Sequence, residues 1–168
     1  MKMNDDQLST PLQQLKNEHV WLRKEMDQFY EMIEDIEFSS GSEVVELFKE
    51  LHEKIVVFTE VLDAHSKREE EALFPMMTMH LGENDRTIEE MEYEHHKAEQ
   101  HLQHFLAEAH QIEGAIGEED AQFMTVSASQ AYATLTQHFA KEENILFPMA
   151  ERILSNAEKG RLEKLLQI

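Results

Sequence analysis

The sequence predicts an all-α fold, an up-down-up-down four-helix bundle followed by a short C-terminal helix. Three observations carry that expectation. The 168 residues include only five Gly and three Pro, widely spaced, which favours long helices over strands joined by frequent turns. Four stretches carry apolar residues in alternating steps of three and four, the spacing of a stripe that faces a bundle interior. The connections between them are short, so consecutive helices are antiparallel neighbours. A chain of 19.7 kDa with 41 % apolar residues can bury a sizeable core, and residues 1–168 are read as one domain with its bundle over about 10–154.

The first helix is expected from Thr10 to about Glu37, with Thr10 as N-cap, Pro11 at the first helical position and Gln13 three residues after the cap. FSSGS at 38–42 forms the first loop, and Ser42 is the expected N-cap of a second helix that continues to about His80, kinked by Pro75 and closed by Gly82. TIEE at 87–90 reads as a capping box for a third helix ending near Glu113, just before Gly114. After the loop GAIGEED, a fourth helix extends from about Glu119 to Leu154 with Pro148 near its end, and SNAE at 155–158 caps the short last helix.

Composition removes several function classes. With 35 acidic and 15 basic side chains the formal net charge is −20, which repels a phosphate backbone or an anionic membrane surface. No nucleic-acid or membrane partner is expected. The absence of Cys excludes disulfides, iron–sulfur ligation, thiolate zinc sites and cysteine nucleophiles, leaving His and carboxylate as the possible metal ligands. MKMNDDQLST lacks the apolar core of a signal peptide and no window approaches a membrane span, so a soluble, cytoplasmic protein is expected.

The seams contain a repeat. The first reads Leu12, Leu15, His19, Leu22, Met26, Phe29, Ile33, Ile36, and the third reads Ile88, Met91, His95, Ala98, Leu102, Phe105, Ala109, Ile112, the same pattern displaced by 76 positions. The second reads Leu51, Ile55, Phe58, Leu62, His65, Glu69, Ala72, Met76. A displacement of 73 turns it into the fourth, Met124, Ala128, Ala131, Leu135, His138, Glu142, Ile145, Met149. HSKREEEALFPM at 65–76 and HFAKEENILFPM at 138–149 share HxxxEExxLFPM, so the chain is a duplicated helix pair related by an approximate two-fold axis.

Bringing the seams together places four imidazoles and two carboxylates in an apolar core, with no Lys or Arg on any seam. Unpaired buried carboxylates cost several kcal/mol, so a positive partner is required. A dinuclear metal centre supplies one, because imidazole and carboxylate suit iron and similar cations and residues four apart on a helix point to one site. A lone seam His is normally a hydrogen-bonded core residue. Two repeated HxxxE pairs, matched by His19 and His95, favour metal over a structural network. Glu70 and Glu143 lie about 140° around the helix from their His and are read as solvated or outer groups. His52, His80, His101, His104 and His110 fall off the seams. His96 competes with His95, but the repeat pairs His95 with His19 and His96 with Val20. The acidic runs at 34–37, 69–71 and 89–94 are read chiefly as exposed faces.

NEH at 17–19, HSKREE at 65–70, YEHH at 93–96 and HFAKEE at 138–143, with LFP following in the second and fourth helices, resemble the hemerythrin-like family, also called the HHE cation-binding domain. The resemblance covers about residues 10–154. It implies two iron ions, oxo- or hydroxo-bridged, with His19, the pairs His65/Glu69 and His138/Glu142, and His95 on the ligand motifs; zinc or manganese are possible substitutes. Two departures bear on function. Glu99 stands where oxygen carriers have a second third-helix His. The fourth-helix carboxylate is Glu142, four residues after its His, with Glu143 as the alternative to the carriers' Asp at five. These place the chain nearer to HHE proteins of iron homeostasis and stress response. Proteins that repair iron–sulfur centres share the HxxxE pairs but usually carry a cysteine-bearing N-terminal domain, and these 168 residues contain no Cys. The expected activity is binding or reduction of dioxygen, nitric oxide or peroxide, with a ferroxidase or peroxidase-like enzyme, or repair of iron–sulfur centres, as the alternative and a metal-free bundle as the third reading. Two-fold symmetry would pair His19 with His65 on one ion and His95 with His138 on the other, bridged by Glu69 and Glu142, with similar access to both.

Overall fold

The computed structural model describes residues 7–111 and 117–167. Those residues form helices and connections with no strand among them: α1 (Thr10–Phe38), α2 (Ser42–Arg68), α3 (Phe74–His80), α4 (Thr87–Gln111), α5 (Glu118–Lys141), α6 (Phe147–Ile153) and α7 (Asn156–Leu165). Two one-turn π-helical segments, π1 (Glu69–Leu73) and π2 (Glu142–Leu146), join α2 to α3 and α5 to α6. The expected all-α bundle is therefore present. The expected end of the third helix, with Ile112, Glu113 and Gly114, lies outside the described residues.

Helix starts differ from expectation by single positions. Ser9, with extended backbone, precedes α1 and its carbonyl accepts the Gln13 amide at 2.8 Å, so Thr10 is already helical. Before α2 the chain turns through Gly41 at φ 69°, a conformation favouring glycine, and Ser42 becomes the first helical residue instead of the cap. α4 begins at Thr87, whose amide donates to the Asp85 carboxylate at 2.8 Å. The capping box expected at the last helix is present: Ser155 Oγ accepts the Glu158 amide while Glu158 accepts the Ser155 amide.

The second and fourth helices are interrupted where Pro75 and Pro148 require it. A proline within a helix lacks an amide hydrogen and its ring clashes with the carbonyl four residues earlier. The chain relieves both constraints by widening the preceding turn, so that the Phe74 amide bonds to the Glu69 carbonyl and the Phe147 amide to the Glu142 carbonyl. Such a turn holds one extra residue and advances the seam by one position beyond it. Ile145, expected on the seam, is 54 % exposed; Met149 is half-buried, while Leu146, Phe147 and Ala150 point inward. In the first repeat Ala72 and Met76 stay buried, joined by Leu73, Phe74 and Met77.

α1 packs mainly on α2 and α5, and α4 on α5 and α2, a closed bundle of two related helix pairs. The apolar interior forms two clusters. Met26, Phe29, Phe48, Phe58 and Phe105 belong to the larger, towards the end where α2 begins. Leu12, Leu15, Phe74, Met77 and Phe147 belong to the smaller, closed off by Leu162 and Leu166 at the end of the chain. Burying each Phe stabilises the fold by about 1.5–3 kcal/mol. Between the clusters lies a polar layer.

Candidate metal centre

Each half of the chain delivers three polar side chains to that layer. His19 comes from the middle of α1 and His95 from α4, while His65 and His138 come from the last turns of α2 and α5. Glu69 and Glu142 are the first residues of π1 and π2. All six are buried, both carboxylates completely. The widened turns thus begin at the two carboxylates, and they let LFP aromatic residues pack directly beneath the layer. Phe147 lies 5.6 Å from the His19 ring and Phe74 lies 5.7 Å from the His95 ring, centroid to centroid.

Inward nitrogens and carboxylate oxygens converge. His65 Nε2 is 2.5 Å from Glu69 Oε1 and 3.2 Å from His19 Nε2, which is itself 3.4 Å from Glu142 Oε1. On the other side His138 Nε2 is 2.9 Å from Glu142 Oε1, and His95 Nε2 is 4.0 Å from Glu69 Oε1. Two clusters are able to hold a cation, His19 with His65, Glu69 and Glu142, and His95 with His138 and Glu142, each with donor atoms within 4.8 Å of one another. Glu142 belongs to both. Both oxygens of Glu69 and of Glu142 and both ring nitrogens of His138 are buried without a hydrogen-bond partner. Buried carboxylates in that state are costly, and two imidazole lone pairs facing at 3.2 Å repel unless a proton or cation lies between them. The donor set therefore fits a pair of metal ions.

The outward ring nitrogens face a second set of four carboxylates, which also obeys the two-fold. His65 Nδ1 donates to Glu18 at 2.7 Å and His95 Nδ1 to Glu70 at 3.0 Å. His138 Nδ1 lies 3.6 Å from Glu94, and His19 Nδ1 lies 3.8 Å from Glu143. A proton held on Nδ1 leaves the Nε2 lone pair directed into the layer, the tautomer a metal ligand needs. Arg68 and Lys141 neutralise Glu18 and Glu94 at 2.8 and 3.1 Å, and Arg23 pairs closely with Glu143. Burial raises the Glu18 and Glu143 carboxyls, but their His and Arg neighbours outweigh it and hold both below the ordinary range. The hydrogen bond from His95 is the main cause that lowers Glu70, and the nearby His138 ring, with Lys141, lowers Glu94.

Glu18 and Glu94 do not stand out in the sequence, where Glu94 reads as part of an exposed acidic run, yet its side chain is only 15 % exposed. The usable signal was the EH dipeptide recurring at 18–19 and 94–95. His96 is 72 % exposed and faces Glu99 at 3.8 Å, turned about 100° around the helix from buried His95. Glu99 does not reach the cluster; it is half-exposed beside Asp63. His80 binds Glu158 at 2.8 Å, far along the chain, tying α3 to α7.

Protonation differs among His19, His65 and His138. Burial lowers His19 and His138, keeping them neutral and ready to donate a lone pair. Burial acts the same way on His65, but Glu69 and Glu18 outweigh it and raise its pKa from 6.5 to about 9. In the metal-free protein, the raised value contributes stability in full below 6.5 that is lost as pH rises through about 9. Ligation requires the neutral ring, so a divalent cation added near neutral pH is expected to release about one proton per chain from His65, and almost none above about pH 10. Indicator-dye titration measures this directly; equal release at both pH values would contradict it.

A family model described as the hemerythrin HHE cation binding domain matches residues 10–150. Neither the comparison with curated proteins nor that with solved structures gives a match.

Proposed function

Because the chain belongs to the hemerythrin HHE cation-binding domain family, we propose that it is a di-iron protein binding a small ligand or oxidant such as dioxygen, nitric oxide or peroxide, in the cytoplasmic handling of iron or oxidative stress. The carrying observation is the pair of fully buried, unpartnered carboxylates, Glu69 and Glu142, ringed by four imidazoles. His19 and His65 would hold one ion with Glu69 and Glu142. His95 and His138 would hold the other with Glu142, and Glu69 lies near enough to complete it. Iron bound there would supply redox change and open coordination positions for a small molecule.

The chain's own groups do the rest. Glu18, Glu70, Glu94 and Glu143 orient the rings and keep the Nδ1 protons outward. Phe74, Phe139 and Phe147 border the imidazoles and exclude water, which favours compact neutral ligands. Metal quantification on anaerobically purified protein, with an optical spectrum after oxidation, tests the assignment. Two irons per chain with near-ultraviolet absorption of a bridged diferric pair are expected, and no stoichiometric metal would overturn it. Steady-state consumption of peroxide or Fe(II), in place of a stoichiometric adduct, would assign catalysis instead.

A further inference from the structure

The two-fold that relates the ligand sets does not relate what lies outside them. On the α1–α5 flank, Phe139 stacks on His19 with ring centroids 4.2 Å apart and also borders His65 and His138 at about 6 Å, while Arg23 pairs with Glu143. The displacement of 73 that carries Phe139 to the other repeat leads to Ser66, and the displacement of 76 carries Arg23 to Glu99. Thr136 corresponds in the same way to Asp63. The α2–α4 flank therefore has a buried hydroxymethyl where its counterpart has a phenyl ring, and carboxylates where its counterpart has a guanidinium and a hydroxyl.

Contacts follow the exchange. Glu99 and Asp63 are partly exposed neighbours, with Lys67 acting on Asp63 and His96 lying 3.8 Å from Glu99. Glu70, whose side chain is 32 % exposed, reaches from this flank to His95 Nδ1, and no Lys or Arg pairs with it among the described residues. Glu18, Glu94 and Glu143 each have such a cation.

We propose that divalent cations reach the buried centre through the α2–α4 flank, guided by Glu99, Asp63 and Glu70 and passing the small Ser66 side chain, while Phe139 and Arg23 close the α1–α5 flank. The inference rests on the metal-centre reading and adds the path. A hydrated cation approaching a protein of net charge −20 is attracted from all sides, but only a flank with carboxylates and without a guanidinium can replace its water step by step on the way inward. The unpartnered Glu69 and Glu142 carboxylates are the endpoint of that gradient.

Co(II) uptake by metal-free protein, followed by stopped-flow absorbance and final metal content, tests the path. The double variant Asp63→Asn/Glu99→Gln is expected to take up Co(II) about tenfold more slowly while still reaching two ions per chain. Glu99→Arg, which rebuilds the opposite flank's charge, should slow uptake further. Glu46→Gln/Glu50→Gln makes the same charge change on α2, with Glu50 about 22 Å along the helix from His65, and should leave the rate within twofold of the parent. Unchanged uptake in Asp63→Asn/Glu99→Gln, or equal slowing in the distant variant, overturns the path alone. Parent protein that binds no Co(II) overturns the metal-centre reading with it.

Discussion

Replacing Glu142 by Ala should empty both metal positions, whereas replacing Glu69 by Ala should leave the His95/His138 position partly filled. The difference follows from geometry, because Glu142 belongs to both potential ligand clusters and Glu69 to one. Substituting an outer partner of a ligand commonly costs about 10–100-fold in metal affinity, so losing a shared ligand is expected to cost well over a hundredfold at each position. Metal content should fall from two per chain to near zero in Glu142→Ala, drop sharply in His65→Ala and His138→Ala, and stay at two in His52→Ala and His110→Ala. Plasma emission analysis of the purified variants decides it; equal content in Glu142→Ala and His52→Ala would remove the assignment. Helical circular dichroism separates loss of metal from loss of fold.

Chelation should lower the melting temperature by on the order of 10–20 °C at neutral pH. Each ion present at about a hundred times its dissociation constant stabilises the folded state by about 2.7 kcal/mol, and a domain of this size shifts by about 2–4 °C per kcal/mol. The pH dependence carries a second signature. In the chelated protein burial raises the Glu69 carboxyl, but His65 outweighs it and lowers its pKa from 4.5 to about 2, while His65 itself stands at about 9. A lowered carboxyl contributes stability above 4.5 that is lost as pH falls through about 2, and the raised imidazole contributes below 6.5 and loses it through about 9. Their joint contribution is therefore largest between 4.5 and 6.5. Differential scanning calorimetry across pH 4 to 10, with and without metal, measures both effects, and a chelated protein as stable as the loaded one would contradict them.

Much of this was legible in the sequence, and for identifiable reasons. Apolar spacing of three and four is a direct record of which helix face turns inward, so His19, His65, His95 and His138 could be picked out from ten His residues and are the four the structure buries. The literal HxxxEExxLFPM repeat then gave the two-fold. The seams failed at Ile145 and Met149, because counting in α-helical steps carries no information about a wider turn, although FP in both repeats marks where it must occur. Glu18 and Glu94 were missed for a different reason. Each sits beside a seam His on its own helix but serves an imidazole on another, and contacts between helices are set by how far the bundle brings them together, which periodicity does not encode. The proposed difference in cation access between the flanks rests on positions that the seam pattern does not register, Phe139 against Ser66 and Arg23 against Glu99.

The polar layer has a mechanical side. Since it separates the two apolar clusters, the molecule has two hydrophobic bodies in series rather than one continuous interior. Helix backbones run through the junction, side-chain packing crosses it through the imidazoles, which Phe139 meets from one side and Phe74 and Phe147 from the other, and in π1 and π2 the backbone ladder changes register at that level. Cations bridging all four helices would weld the bodies into a single cooperative unit. Without them the shorter body, built from α3, α6, α7 and the starts of α1 and α4, would be able to open on its own while the longer one stays closed. Metal supply would then govern folding cooperativity as well as chemistry.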